Sequence, residues 1–445
     1  MLSVADLEDA GIRQVAIASP DTQGRPVGRT VPIDRFVADP EAGVDISSYA
    51  LIYDLAGMPL FDSPFAGPHS GYHDIRLKPD LDTLRHYPGA AGTALCIADV
   101  VDARGELVAY APRTILRQQA AAAKHVGFDV LVASELEFYL FRECQSEARA
   151  MEFRGLHPTT PERSTYGISP AIAQRDFLQQ VTQEMQRARV PASSAQTEAG
   201  RGQWEVNLDH ADPLTSADAH LTFKLGVKEV ARAHGMSATF MARPIADDLG
   251  SSCHIHLSLR RDGDPVFPES PGSGDISQTA HHAIGGLLFH LAASAIFLAP
   301  YVNSYKRHVP GFAAGQVTAW GMDNRSVAIR LAGHGASLRL EHRYPGADVN
   351  PYLAMAVLIA AALEGMHSQR DPGPPALGDA DAQGDLPRPP SSLGAAIDAF
   401  TSSTFGVDVF GDDVARHFAA HAQAEWSASL AAVTDWEVIR GFDAV

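Results

Sequence analysis

Four stretches of this sequence alternate an apolar side chain with one able to do chemistry. In SELEFYLF, Ser134 to Phe141, an extended strand puts Glu135, Glu137 and Tyr139 on one face and Leu136, Phe138 and Leu140 on the other. QWEVNLD sets Gln203, Glu205, Asn207 and Asp209 against Trp204, Val206 and Leu208. SSCHIHLSL sets Ser252, His254, His256 and Ser258 against Cys253, Ile255, Leu257 and Leu259, and SLRLEHRY sets Arg339, Glu341 and Arg343 against Leu338, Leu340, His342 and Tyr344. A sheet with one solvated face shows the same alternation. Solvated faces, however, usually carry Lys, Thr and Ser, whereas these carry Glu, His and Arg. Converging carboxylates repel one another unless a cation neutralises them, and oxygen-rich sites with an imidazole suit Mg²⁺ or Mn²⁺. A divalent-metal lining is therefore expected on the charged faces.

A second set is cationic. NSYKRHVPG holds Lys306 and Arg307, MDNRSVAIR holds Arg325 and Arg330, and Arg339 and Arg343 follow. Arginine forks grip carboxylates and phosphates through two hydrogen bonds, so arginines beside metal-binding acids point to phosphoryl transfer. Taken singly, each is as readily a surface ion pair. Neither a GxxxxGKS loop nor a GxGxxG fingerprint occurs, which removes support for a P-loop or dinucleotide-binding fold.

The elements that must position these residues read as mixed α and β. The first hundred residues suggest short strands and turns, a small β-rich domain. Beyond Ala111, Thr114 is placed to cap a helix running to about Lys124, and helices are expected over Ser169–Arg189 and Ser216–His234, the latter ending at Gly235. ATFMARPI and SSCHIHLSLR read as strands, the second turning at Arg261-Asp262-Gly263-Asp264. Asp371 to Ser391 is too rich in Pro, Gly and Asp for regular structure, and helices follow over Ser392–Ser402 and Asp412–Val433.

At 445 residues with 45% hydrophobic content the chain can bury a large core. Its 35 basic and 53 acidic residues leave a net charge of −18, which disfavours nucleic acid or an anionic membrane as partner. The N-terminal stretch is acidic where a signal peptide is basic, and no apolar run reaches membrane-spanning length, so a cytoplasmic location is expected. Cys96, Cys144 and Cys253 lack CxxC spacing and suggest buried small hydrophobes.

Taken together, SELEFYLF, EAGRGQWE, GSSCHIHLSL, NSYKRHVPG, NRSVAIR and RLEHRYPGADVNPYLA resemble, in order, the motifs of the type I glutamine synthetase family, from about Val101 to the C-terminus. The resemblance implies an α+β fold: an N-terminal β-grasp domain over residues 1–102 and a catalytic domain over 103–445 with a curved antiparallel sheet. It implies that Glu137, Glu198 and Glu205 bind one metal and Glu135, His254 and Glu341 another, two to three Mg²⁺ or Mn²⁺ ions per site in all. It further implies that His256 and Ser258 touch ATP, that Arg325, Arg330 and Arg339 handle its phosphates, and that Gly250, Arg307 and Arg343 hold glutamate. Arg325, Arg339 and Glu341 are then the catalytic residues, and a dodecamer of two hexameric rings is the implied assembly. On the residues alone, Glu198 in its QTEAG turn reads first as a solvated loop acid, and His254 and His256 read equally as core histidines.

The departures from the family pattern bear on the substrate. The family's ammonium site uses a glutamate after the VPG-aromatic stretch; here the run is GFAAG, with Ala313 at that position. A DGSS-like motif bearing the site's second acid is not found, although Asp74 lies in a segment like the one that follows it. An ammonium pocket needs carboxylates to bind the cation and take its proton. Their loss implies a larger organic amine, polyamine, ethanolamine or another monoamine, joined to glutamate through a γ-glutamyl phosphate. Trp320 and Tyr301 are candidate cation–π contacts for the amine, and Asp323 reads equally as an amine anchor or as a capping or turn residue. Leu249 replaces an asparagine the family commonly has beside the glutamate-binding glycine. Ordinary glutamine synthetase and an inert relative are the competing readings.

Overall fold

The computed structural model describes residues 2–270, 275–308 and 315–444. Ala313 lies outside these.

Six strands form the N-terminal sheet: β1 (Gln14–Pro20), β2 (Pro26–Pro32), β3 (Val44–Ser47), β4 (Asp74–Pro79), β5 (Arg85–His86) and β6 (Thr93–Val101). Their order is β2-β1-β6-β4-β3, with β5 paired to β6; β1 and β6 run parallel and the remaining pairs antiparallel. One face has its own core, built on Val15, Ile17, Ile75, Leu77, Cys96 and Val100. Ala18, Leu95 and Ile97 pack instead into the larger core of the chain.

Nine strands form the second sheet: β7 (Asp129–Phe141), β8 (Ala192–Thr197), β9 (Gln203–Leu208), β10 (Ser237–Thr239), β11 (Cys253–Arg261), β12 (Asp264–Pro265), β13 (Trp320–Met322), β14 (Ile329–Ala332) and β15 (Arg339–His342). The order is β13-β14-β15-β11-β7-β9-β8; β10 pairs with the end of β7 and β12 with β11. All pairs are antiparallel except β13–β14, which is parallel, a departure from the wholly antiparallel expectation. All four alternating stretches lie in this sheet. Their apolar faces, with Leu136, Phe138, Trp204, Ile255 and Leu340 all 1% exposed or less, pack into the main core. Each such side chain contributes about 1.5–3 kcal/mol on burial. The helices Pro112–His125, Pro213–Ala233 and Pro351–His367 supply the other layer.

Local chemistry explains most boundaries. Asp212 caps the helix Pro213–Ala233 by accepting from Leu214 and Thr215, and Gly235 (φ +69) turns the chain just past its end. Asp262 and Gly263, both at positive φ, make the two-residue turn between β11 and β12. Three expectations need correction. Thr114 does not cap its helix; Pro112 opens it, with φ already suited to a first turn, and Thr114 lies buried inside. Ser169–Arg189 is two helices, Ile168–Ala173 and Arg175–Arg187, broken at Gln174. Of ATFMARPI only the first residues join a strand, because the chain then turns through Pro244 toward the loop that presents Gly250.

Asp371–Ser391 is irregular apart from a short 3-10 turn at Ala380–Ala382, as expected. Cys96 and Cys253 are buried, with thiols pushed up to about 12 by burial, while Cys144 is partly exposed. Among the described residues no single helix is long and apolar enough to cross a membrane.

Candidate active site

The polar faces of β7, β8, β9, β11 and β14 line one cavity of about 370 Å³, so the sheet curls around its own charged side chains. Strand register sets the neighbours. Glu135 on β7 lies opposite His254 on β11 and Asn207 on β9; Glu137 lies opposite Glu205. Glu341 on β15 pairs with His256 on one side and Arg330 on the other.

Glu135 meets His254 Nδ1 at 3.1 Å and His256 Nε2 at 2.8 Å through its two oxygens. Burial pushes its carboxyl up, but the two imidazoles outweigh that and hold it well below the usual carboxylate range. Arg339 Nε donates to His256 Nδ1 at 3.1 Å, which leaves His256 Nε2 to carry the proton given to Glu135. His254 Nδ1 also lies 3.6 Å from Glu341. Glu341 is fully buried, yet His254, Arg343 and His256 hold it below its ordinary value against that burial. Among the described residues, Glu135, His254 and Glu341 are the acid–histidine group whose ligand atoms all lie within 4.8 Å of one another.

The second acid group lacks such compensation. Burial first, then the charge of Glu198, pushes Glu137 up to about 7 despite hydrogen bonds from Ser252. Burial and the charges of Glu137, Glu135 and Glu198 push Glu205 up to about 9. Glu198 is raised as well, chiefly by burial. Gln196 spans Glu198 and Glu205 at 3.1 and 2.9 Å, and Gln203 donates to Glu137 at 2.8 Å. Neutral amides cannot cancel three buried charges; a divalent cation can. The donor set of oxygens with one imidazole therefore fits Mg²⁺ or Mn²⁺.

Arginines close one wall. Glu341 accepts from Arg330 Nη1 at 2.5 Å and from Arg343 Nη1, while Arg343 Nε donates to the Arg325 carbonyl at 3.2 Å. Arg307 is 4% exposed and donates to the carbonyls of Tyr344 and Pro345. A Cβ on Gly250 would stand 2.3 Å from Arg307 Cγ and 2.6 Å from the Ala242 carbonyl, so only glycine permits this approach. A second chamber of about 350 Å³ opens on the far side of Glu135, lined by His256, Ser258, Arg339 and Asp209, and it shares Glu135 and Asn207 with the first.

The structure thus gathers Glu135, Glu137, Glu198, Glu205, Gly250, His254, Arg307, Arg325, Arg330 and Arg343 in one chamber and His256, Ser258 and Arg339 in the other, with Glu341 buried beside His254, Arg330 and Arg343. Glu198 lines the cavity, partly buried and held by Gln196, and the two histidines face Glu135. Three candidate amine contacts fall elsewhere. Trp320 is buried with its indole on the Gly373 carbonyl, Tyr301 lines a separate pocket with His421 and Glu425, and Asp323 pairs with Arg330. Leu249 lines the cavity, its carbonyl accepting from the Tyr139 hydroxyl at 2.7 Å. Gln196 and Tyr166 line it too and were not singled out beforehand. Gln196 shares the two-residue spacing of Ser194 and Glu198 around Ala195 and Thr197; Tyr166, in a loop, carries no periodic signal.

Residues 109–440 match the family described as glutamine synthetase, catalytic domain. The chain belongs to that family. It is 38% identical over 437 residues to the gamma-glutamylethanolamide synthetase GlnA4 of Streptomyces coelicolor, covering 97% of this chain and 93% of that protein. It is 34% identical over 454 residues to the glutamate–isopropylamine ligase of a Pseudomonas species, covering 100% and 98%. The solved structure "GmaS/ADP complex-Conformation 1" superposes with a TM-score of 0.86 at 29% identity over 99% of both chains. The glutamine synthetase catalytic domain thus holds both chambers and all the strands that line them.

Proposed function

We propose that this protein is an ATP-dependent carbon–nitrogen ligase that joins the γ-carboxylate of glutamate to an organic amine, releasing ADP and phosphate. The observation that carries the reading is the pair of polar chambers meeting at Glu135, one walled by arginines and Gly250, the other by His256, Ser258 and Arg339. The full-length likeness to two relatives named for ethanolamide and isopropylamine chemistry favours an organic amine over ammonia.

In this reading Gly250, Arg307 and Arg343 hold glutamate with its γ-carboxylate toward the acids, and His256 and Ser258 hold the nucleotide beyond them. A γ-carboxylate oxygen attacks the γ-phosphorus of ATP as ADP leaves. The amine nitrogen then attacks the acyl carbon of the γ-glutamyl phosphate, phosphate departs, and the nitrogen loses a proton. Arg325, Arg330 and Arg339 stabilise the charge spread over the transferred phosphoryl group. Glu137, Glu198 and Glu205 would hold one cation and Glu135, His254 and Glu341 another; two to three Mg²⁺ or Mn²⁺ ions, when bound, would supply Lewis-acid charge to the group in transfer. Glu341 also orients Arg330 and Arg343. We further assign the domain division to about residue 102, just past β6, the location to the cytoplasm, and the assembly to a dodecamer of two hexameric rings, the last on family resemblance alone.

The test is phosphate release from Mg-ATP and glutamate with ammonium, ethanolamine, isopropylamine, putrescine and spermine supplied separately. Turnover with an organic amine above that with ammonium is expected. Turnover with ammonium alone, or with none, overturns the reading.

A further inference from the structure

One acid–base contact beside the cavity has no part in the chemistry described above. Asp323 sits in the turn leaving β13 at φ +47, a conformation that Asp tolerates better than most residues. Its amide donates to the Leu331 carbonyl at 3.0 Å. Its Oδ1 accepts from both Nε and Nη2 of Arg330, at 3.0 and 2.5 Å. The other arm of Arg330, Nη1, reaches Glu341. The Arg330 guanidinium is thus stretched between an acid of the site and an acid of the turn.

The turn itself is clamped. Asn324 Nδ2 donates to the carbonyls of Ala376 and Gly378 at 3.2 and 2.8 Å, the Ala380 amide donates to Ser326 Oγ at 2.8 Å, and the Trp320 indole reaches the Gly373 carbonyl at 2.9 Å. The irregular segment after Asp371 therefore straps down the turn that carries Asp323 and Arg325. Arg330 is largely buried, its side chain 14% exposed, while that of Asp323 is 77% exposed. An ion pair with so exposed a partner adds little to stability. What it fixes is direction.

We propose that Asp323 is a positioning residue that holds Arg330 against the cavity wall, aimed at the phosphoryl group in transfer. The inference rests on the ligase reading. Among the described residues Asp323 and Glu341 are the two acid partners of Arg330, so Asp323 gives the arm a hold that does not depend on Glu341.

Asp323→Asn keeps a residue that tolerates positive φ and removes only the charge. Its melting temperature is expected to match the wild type, while kcat/KM for Mg-ATP falls on the order of tenfold, as misaimed catalytic groups do. Asp323→Glu is expected to recover part of the loss. In a double-mutant cycle with Arg330→Gln, the two losses are expected not to add. Asp323→Asn within twofold of wild type, or strict additivity, overturns the proposal. Wild-type turnover reports on the ligase reading separately. Affinity for Mg–AMP-PNP by calorimetry tests Asp323 without turnover: a several-fold loss supports the proposal and equal affinity overturns it.

Discussion

Glu137 and Glu205 are acids whose surroundings favour the protonated form. Both carboxyls are raised from an ordinary value of 4.5, to about 7 and about 9, by burial and by the acids beside them. Folding without metal therefore takes up protons at these positions, and the metal-free protein loses stability as pH rises from the unfolded value through the folded ones. A divalent cation binds the deprotonated acids, so its stabilising effect runs the opposite way. The gain in melting temperature on adding Mg²⁺ is expected to be larger near pH 9 than near pH 6, by about 3 °C; a gain that shrinks with pH contradicts the acid assignment. Glu137→Ala is expected to lower amine-dependent phosphate release by about a thousandfold. Arg343→Ala is expected to act mainly on the KM for glutamate, since it removes a binding group, although its hold on Glu341 adds a smaller loss in kcat. At this scale the acids, histidines and arginines of the strands were legible, because alternation reveals which side chains share a face; Glu198, Arg307 and Arg325 lie off the strands and were marked by motif instead. The partner of Arg330 was not: Asp323 sits in a turn, where spacing says nothing about direction.

At the scale of elements, the loop before β11 matters most, because it brings a backbone rather than a side chain to the site. Gly250 lies where any Cβ would strike Arg307 and the Ala242 carbonyl. Gly250→Ala is expected to destabilise the fold by about 1–3 kcal/mol, as overpacking does, and to raise the KM for glutamate by displacing Arg307; urea unfolding and initial rates check the two effects. The loop is pinned from outside by Arg201 and Arg163 on Asp248 and from inside by Tyr139 on Leu249. Strands with one charged face were legible from period two. The broken helix at Gln174 and the loss of strand after Thr239 were not, because both follow from tertiary packing that overrides local propensity. Asp371–Ser391 was legible as irregular from its composition, but its hold on the β13 turn depends on backbone carbonyls that no side-chain pattern encodes.

At the scale of the whole molecule, a buried arginine ties the N-terminal sheet to the helical layer of the catalytic part. Arg113, 2% exposed, donates to Asp80 and Asp99 of the N-terminal part and to both oxygens of Asp218 on the helix Pro213–Ala233; Asp218 Oδ1 also accepts from the Tyr352 hydroxyl at 2.6 Å. Removing it leaves the buried Asp218 without its ion pair, while Asp80 and Asp99 keep Arg117 beside them. Arg113→Ala is expected to cost about 3–5 kcal/mol in urea unfolding, with Arg113→Lys recovering part of the loss; a cost near zero contradicts the picture of one joined body. The two-part architecture was visible in advance as a change from β-rich to alternating pattern. The strand order was not, because register across a sheet is settled by packing between segments more than a hundred residues apart. The β7–β11 pair, which sets Glu135 against His254, shows this most plainly.

The chambers that meet at Glu135 have only that residue and Asn207 in common among the side chains lining them. If each takes one partner of the proposed reaction, Glu135 is where the occupancy of one is felt in the other, and a change there reaches both.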